Sequence, residues 1–354
     1  MKKVITVVGA RPQFVKAAVV SRALKQNGIE EAIIHTGQHF DANMSSVFFD
    51  ELDIPPPSFN LGIGGGTHAQ NTGRSMEGIE QIISTERVDA VLVYGDTDST
   101  LAGALAAAKL SVPVAHVEAG LRSYNRRMPE EINRVVTDHL SSLLFAPSRV
   151  AVDNLAREGI AGEPVRLVGD VMYDAVLAFT GIAEARCDPL GQLRLAPRHY
   201  VLATLHRKEN TDDPDRLRQI LSGLAQSDCE VVLPLHPRTR QRLADLGLKT
   251  RAPLRIVDPV GYLEMLVLEK NARSIATDSG GVQKEAFFHR VPCVTFRDET
   301  EWVELVDLGV NVLVGAHADR IGAAINRKSE RLEFRPIYGE GRAAEAIAMA
   351  LAEH

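Results

Sequence analysis

The sequence predicts an α/β protein of two Rossmann-like domains facing a central cleft, and three observations carry that expectation. Short apolar runs of strand type alternate with longer segments of helical composition along most of the 354 residues, the pattern of parallel sheets covered by helices. The strand runs end in small residues, histidines or carboxylates, at the sheet edge where open α/β folds bind ligands. A second series of β-α units begins at Tyr200, so the architecture repeats although no sequence repeat is evident. The boundary is placed near residue 175, giving domains 1–175 and 176–354, with the last helix a candidate to pack back on the first.

Composition narrows the class. With 45% hydrophobic and 24% charged residues the chain reads as globular, and its length gives each domain a core of its own. A net charge of −6 argues against nucleic acid and membrane surfaces as partners. The N-terminal MKKVITVVGARP is too short in its apolar run for a signal segment, and no stretch reaches the roughly 20 apolar residues that span a bilayer. Cys187, Cys229 and Cys293 are far apart and odd in number, which indicates neither a disulfide framework nor a metal knuckle. The expectation is a cytoplasmic protein with no cofactor and no metal.

Lys3 to Val8 is the first strand, and Gly9-Ala10-Arg11-Pro12 turns it into a helix. Arg11 and Lys16 flank that turn; they fit an anion site at a helix start or two surface charges on an amphipathic helix. Ala32 to His35 leads into Thr36-Gly37-Gln38-His39, and Pro55 to Thr67 reads as a loop. Its Gly64-Gly65-Gly66 lacks the strand-to-helix context and Lys-Ser/Thr of a phosphate loop.

Val91 to Arg134 is the centre of the reading. Val91–Tyr94 and Val112–Val117 are strands joined by an Ala/Leu-rich helix, and Asp96 and Glu118 follow their respective ends. Parallel neighbours lie about 4.8 Å apart, so both acids project from one edge. Taken singly, Asp96 reads as a helix cap and Glu118 as a loop acid; with Arg122 and the Pro129-Glu130-Glu131-Ile132-Asn133-Arg134 segment they read as a proton-transfer cluster. Ala183 to Arg198 is taken as irregular.

In the second half, Tyr200–Leu205 ends in His206 and Val231–Leu235 in His236, two histidines at equivalent strand ends. Ser274–Thr277 runs into Asp278-Ser279-Gly280-Gly281, where glycines let a diphosphate approach helix N–H groups, and Glu285 lies one turn further for a ribose diol. A tight structural turn explains the same glycines. The lone tryptophan, Trp302, is left as core or lid.

YGDT, HVEAGLR and PEEINR, in that order, resemble the non-hydrolysing UDP-N-acetylglucosamine 2-epimerases, and the resemblance runs nearly the full chain. It implies the fold of the B-type glycosyltransferases (GT-B), a UDP-sugar substrate, a homodimer, and a role in surface-polysaccharide precursor synthesis. It places Asp96, Glu118, Glu130 and His206 at acid/base positions, and Arg11, Lys16, Gln38, His236, Ser279, Gly280, Gly281 and Glu285 at substrate-binding ones. The implied chemistry eliminates UDP to a 2-acetamidoglucal and adds it back with C2 inverted. Three features depart from the family pattern: Gln13 stands where an acid is common, HTGQHFDANM differs from the usual tract, and Thr300-Glu301-Trp302-Val303-Glu304 replaces TERPE, so that Trp302 stands for an arginine. They resemble a branch that includes epimerases of UDP-2,3-diacetamido-2,3-dideoxyglucuronate. UDP-N-acetylglucosamine is placed first, that uronate second, and a retaining GT-B glycosyltransferase is the reading from another class.

Overall fold

The computed structural model describes residues 2–38, 52, 54–235, 237–248, 251–327 and 333–354. They form two compact units, Met1–Ala178 with Pro336–His354, and Phe179–Arg335.

The first unit holds β1 (Lys3–Val8), α1 (Arg11–Gln26), β2 (Glu30–His35), β3 (Phe59–Asn60), α2 (His68–Thr85), β4 (Ala90–Tyr94), α3 (Asp98–Lys109), β5 (Val114–Val117), α4 (Pro129–Leu140), β6 (Leu143–Ala146), α5 (Arg149–Arg157) and β7 (Val165–Leu167). Its sheet is parallel in the order β3-β2-β1-β4-β5-β6-β7, which reverses direction between β1 and β4. Parallel strands are covered on both faces and must be apolar throughout; Ile5, Val7, Val91 and Val93 are fully buried. The Ala-rich composition of α3 has a steric cause. A Cβ added at Gly103 would lie 3.0 Å from Val93 and 3.2 Å from Val7, so the helix rests directly on the strands and admits only small side chains there.

The chain divides inside α6 (Val171–Arg186), and the expected boundary at 175 falls in the same helix. The tract from 183 to 198 is more regular than expected: α6 runs to Arg186, and Asp188 accepts Gly191 N–H to cap a short helix, α7 (Pro189–Leu193). A capping aspartate followed by proline is a helix start even in a Pro-containing stretch.

In the second unit lie β8 (Tyr200–Thr204), α8 (Lys208–Thr211), α9 (Pro214–Leu224), β9 (Glu230–Pro234), α10 (Pro237–Asp245), β10 (Leu254–Val257), α11 (Tyr262–Asn271), β11 (Ser274–Thr277), α12 (Gly280–Phe288), β12 (Cys293–Thr295), α13 (Val303–Asp307), β13 (Asn311–Leu313) and α14 (Ala318–Ile325). The sheet order is β10-β9-β8-β11-β12-β13, again parallel, with its reversal between β8 and β11. Alternate strand residues serve opposite cores: Val201 and Ala203 pack with Leu217 and Ile321, Leu202 and Val232 with Leu268 and Ile275.

The final helix, α15 (Ala343–Glu353), belongs to the first unit, where it packs on α1. Asp174 of α6 caps its start, accepting Ala343 N–H at 3.2 Å and Ala344 N–H at 2.8 Å. Among the described residues no helix is long and apolar enough to cross a membrane.

Candidate active site

Ligands of open α/β sheets lie outside the carboxyl ends of the strands where the order reverses. In the first unit that point is flanked by the turns after β1 and β4, with the turn after β5 next in line. β4 and β5 pair in parallel with Tyr94 opposite Val117, so Asp96 and Glu118 do emerge from the same edge.

Each acid is held by a buried cation. Glu118 pairs with Lys16, and both side chains are over nine-tenths buried. Its backbone sits at φ +74°, the left-handed region that costs an L-residue about 1–2 kcal/mol. Asp96, about one-third exposed, pairs with Arg134, whose guanidinium also reaches Glu131 at 3.3 Å. Asp96 does not cap α3; Thr97 does, accepting Thr100 N–H at 3.2 Å. Glu130 lies half-buried in the first turn of α4, whereas Glu131 is buried and accepts Ser123 and Tyr124 N–H, each at 2.8 Å. Of the two neighbours, Glu131 is the loop anchor.

Arg11 opens α1, partly exposed. Gln13 turns from an unexplained departure into a structural link. Its carbonyl accepts Gly9 and Ala10 N–H at 2.8 and 3.0 Å while its amide donates to Tyr94 O at 2.8 Å, joining the β1 and β4 turns. A carboxylate has no proton for Tyr94 O, so glutamine suits this place. Gln38 also ties turns together: its Oε1 accepts Ser99 N–H and Oγ–H at 3.1 and 2.7 Å.

Beneath these turns lies a network the sequence reading missed. His116 and Asp138 are fully shielded, 2.7 Å apart, and Asp138 also accepts Arg122 Nη1 at 2.7 Å and Gly120 N–H at 3.0 Å. Burial opposes ionisation of Asp138, but His116 and Arg122 outweigh it and hold its carboxyl below the usual range.

In the second unit the reversal point brings His206 and Asp278 together. His206 Nδ1 lies 3.0 Å from Asp278 Oδ1, and the imidazole is over half exposed while Asp278 is fully buried. Asp278 also accepts Arg207 N–H at 3.0 Å and Asn210 Nδ2 at 3.1 Å. Burial opposes its ionisation, but His206 first, then Asn210 and the Arg207 N–H, outweigh burial and keep Asp278 below the ordinary carboxylate range. The sequence reading passed over Asp278, although it sits directly before the Ser-Gly-Gly turn. His236 lies outside the described residues.

Ser279 caps α12, and Gly280 and Gly281 form its first turn. A Cβ on Gly280 would lie 2.3 Å from Glu301 Oε1, so the Glu301 carboxylate, paired with Arg297, would have to shift, while at Gly281 the nearest atom would be 3.8 Å away. Glu285 is buried one turn further, on the same helix. Trp302 is core: it is buried, with Lys284 Nζ 4.1 Å from its ring centroid. Arg297, also buried, is matched by Glu301 at 2.9 Å. A cavity of about 320 Å³ lined by Ser274, Cys293, Val310 and Asn326 lies at the opposite, amino edge of this sheet and holds no candidate residue.

Two parallel-sheet units with such turns at their reversal points define a GT-B-like α/β enzyme. Comparison with known proteins carries the class further. The profile described as UDP-N-acetylglucosamine 2-epimerase matches residues 22–352, and the chain belongs to that family of isomerases. It is 54% identical to the UDP-2,3-diacetamido-2,3-dideoxy-D-glucuronate 2-epimerase of Pseudomonas aeruginosa, over 99% of each chain. It is 44% identical to the UDP-N-acetylglucosamine 2-epimerase of Methanocaldococcus jannaschii, over 98% of this chain and 97% of that one. The crystal structure of the latter in complex with UDP-GlcNAc and UDP matches with a TM-score of 0.91 over 100% of both chains. The S. aureus MnaA–UDP structure matches at 0.88 and 32% identity, over 98% of this chain and 95% of that one.

Proposed function

We propose that the protein inverts C2 of a UDP-2-acetamido sugar by eliminating and re-adding UDP, with Asp96, Glu118, Glu130 and His206 as the acid/base set. The observation that carries this is the pair of carboxylates at adjacent strand ends, one of them on a strained backbone; such outliers gather where geometry serves function. A C2 hydrogen with no neighbouring carbonyl cannot leave as an enolate proton. A carboxylate takes it instead, the C–H electrons form the C1–C2 double bond, and the C1–O bond breaks with its pair going to UDP. Return of UDP to C1, with a proton delivered to the other face of C2, completes inversion.

Arg11, Lys16, Gln38, His236 and the Ser279–Gly281 amides hold the diphosphate side, and Glu285 the ribose. Lys16 has a second use in this scheme. An arriving diphosphate exchanges the Lys16–Glu118 pair for a Lys16–phosphate pair and frees Glu118 for the proton.

UDP-N-acetylglucosamine and UDP-2,3-diacetamido-2,3-dideoxyglucuronate are the two sugars the chain fits. The uronate gains weight from the 54% relative and from Arg126 and Arg127, which are exposed in the loop after β5 and have no carboxylate partner among the described residues. The test of the reaction is NMR with each UDP-sugar in D2O. Deuterium entering C2 supports the mechanism whichever sugar is right; turnover without it overturns elimination and re-addition.

A further inference from the structure

His116 is a β5 residue with no exposed surface, and both of its ring nitrogens face acceptors. Nδ1 is 2.7 Å from Asp138 Oδ1 and Nε2 is 2.7 Å from the Gly95 carbonyl oxygen. A carbonyl has no proton to give, and the other Asp138 oxygen already accepts Arg122 and Gly120 N–H. Neutral imidazole carries one N–H and satisfies one such partner; the other contact would set lone pair against lone pair.

We propose that His116 is a positioning residue held as an imidazolium, donating from both nitrogens and locking the turn that carries Asp96 to the turn that carries Glu118. The connectivity is specific. Gly95 precedes Asp96, Glu118 follows His116 by two positions in the turn that ends the strand, and Gly120 beyond it donates to the same Asp138. Gly95 N–H closes the frame on Val117 O at 3.0 Å. The facing charged groups balance: His116 and Arg122 against Asp138 and Glu158, with His139 3.4 Å from Glu158 at the rim. A displaced reacting group costs on the order of 100-fold in rate, so a clamp on both acids acts on kcat.

This rests on the reading that Asp96 and Glu118 act at C2, and the experiment separates the two. Nitrogen-15 NMR of the full wild-type chain at neutral pH, with His116 assigned through its own Cβ, is expected to show both ring nitrogens protonated; a nitrogen with a free lone pair overturns the proposal. His116→Gln keeps a donor toward Gly95 O, whereas His116→Asn keeps only the one toward Asp138. With either UDP-sugar, the asparagine variant is expected to lose about 100-fold in kcat with little change in KM, and the glutamine variant distinctly less. Equal losses, or losses that track Tm, overturn the positioning role. Asp96→Asn and Glu118→Gln at wild-type rates sink the acid/base reading instead, while the NMR result on His116 stands by itself.

Discussion

Glu118 combines two costs: a left-handed backbone, and a carboxylate and an ammonium taken out of water together. Burying an ion pair rarely stabilises a fold beyond what apolar residues would do, so its retention at a strained position points to chemistry. Glu118→Gln, Asp96→Asn and His206→Ala are each expected to lower kcat by roughly 100- to 10,000-fold, the range of general acid–base contributions. They should differ in stability. Without His206 the buried Asp278 still keeps its Arg207 and Asn210 donors, so that loss should cost less than Glu118→Gln, which leaves Lys16 buried without its countercharge and should cost about 3–5 kcal/mol. Activity assays beside denaturant unfolding check this, and near wild-type turnover removes a residue from the set. Residue types at the strand ends were legible in the sequence because acids and glycines mark such ends locally. Their partners were not: Lys16–Glu118, Asp96–Arg134 and His206–Asp278 join positions remote along the chain, and no local pattern announces them.

At the scale of elements, α11 and α12 meet over a buried group of titratable side chains. Burial, and then the charge of Glu285, pushes Glu269 well up; burial, with Lys270 and Arg198, pushes His289 down to about 4. Their 4.0 Å contact joins a carboxyl and an imidazole whose charged forms burial disfavours alike. The two act oppositely on stability. Below its ordinary 6.5 the unfolded histidine binds a proton that the folded one refuses, so stability falls as pH drops from 6.5 toward 4. Glu269, raised in the fold, contributes fully below its ordinary 4.5, and that contribution is lost as pH rises through its folded value. His289→Gln is expected to flatten the acid side of a Tm-against-pH curve, and Glu269→Gln to raise Tm on the alkaline side; unchanged curves refute both. The first turn of α12 offers a sharper test. Gly280→Ala should lose about 1–3 kcal/mol by overpacking against Glu301, whereas Gly281→Ala has room and should keep its stability. If the Gly281 amide meets the diphosphate, the second variant still binds UDP more weakly by calorimetry; unaltered affinity removes Gly281 from the site. Helix and strand identities along this half were readable from periodicity and turn residues, but α7 was hidden because Pro189 read as a breaker when it starts the helix.

For the whole molecule, the repeat of one β-α grammar in both halves was visible because parallel strands are uniformly apolar and their ends are not. The membership of α15 in the first unit was harder, since it depends on Asp174 capping a helix nearly half the chain away. The choice of sugar is a property of the assembled protein, and Trp302 bears on it differently from its first reading. It is buried with Lys284 over its ring, so the region around it is packed by apolar and cation–π contacts where an arginine would place a charge. Arg297 is already neutralised by Glu301 and has no free charge to offer a substrate carboxylate. Arg126 and Arg127 do, and a bidentate arginine–carboxylate contact is worth about 1.5–3 kcal/mol, or roughly 10- to 150-fold in affinity. The expected result is therefore a kcat/KM for the diacetamido-uronate at least about 10-fold above that for UDP-N-acetylglucosamine. Arg126→Ala or Arg127→Ala should erase the preference while leaving the rate on UDP-N-acetylglucosamine unchanged. Equal rates on the two sugars would return UDP-N-acetylglucosamine to first place, and a preference that survives both substitutions would place the carboxylate contact elsewhere.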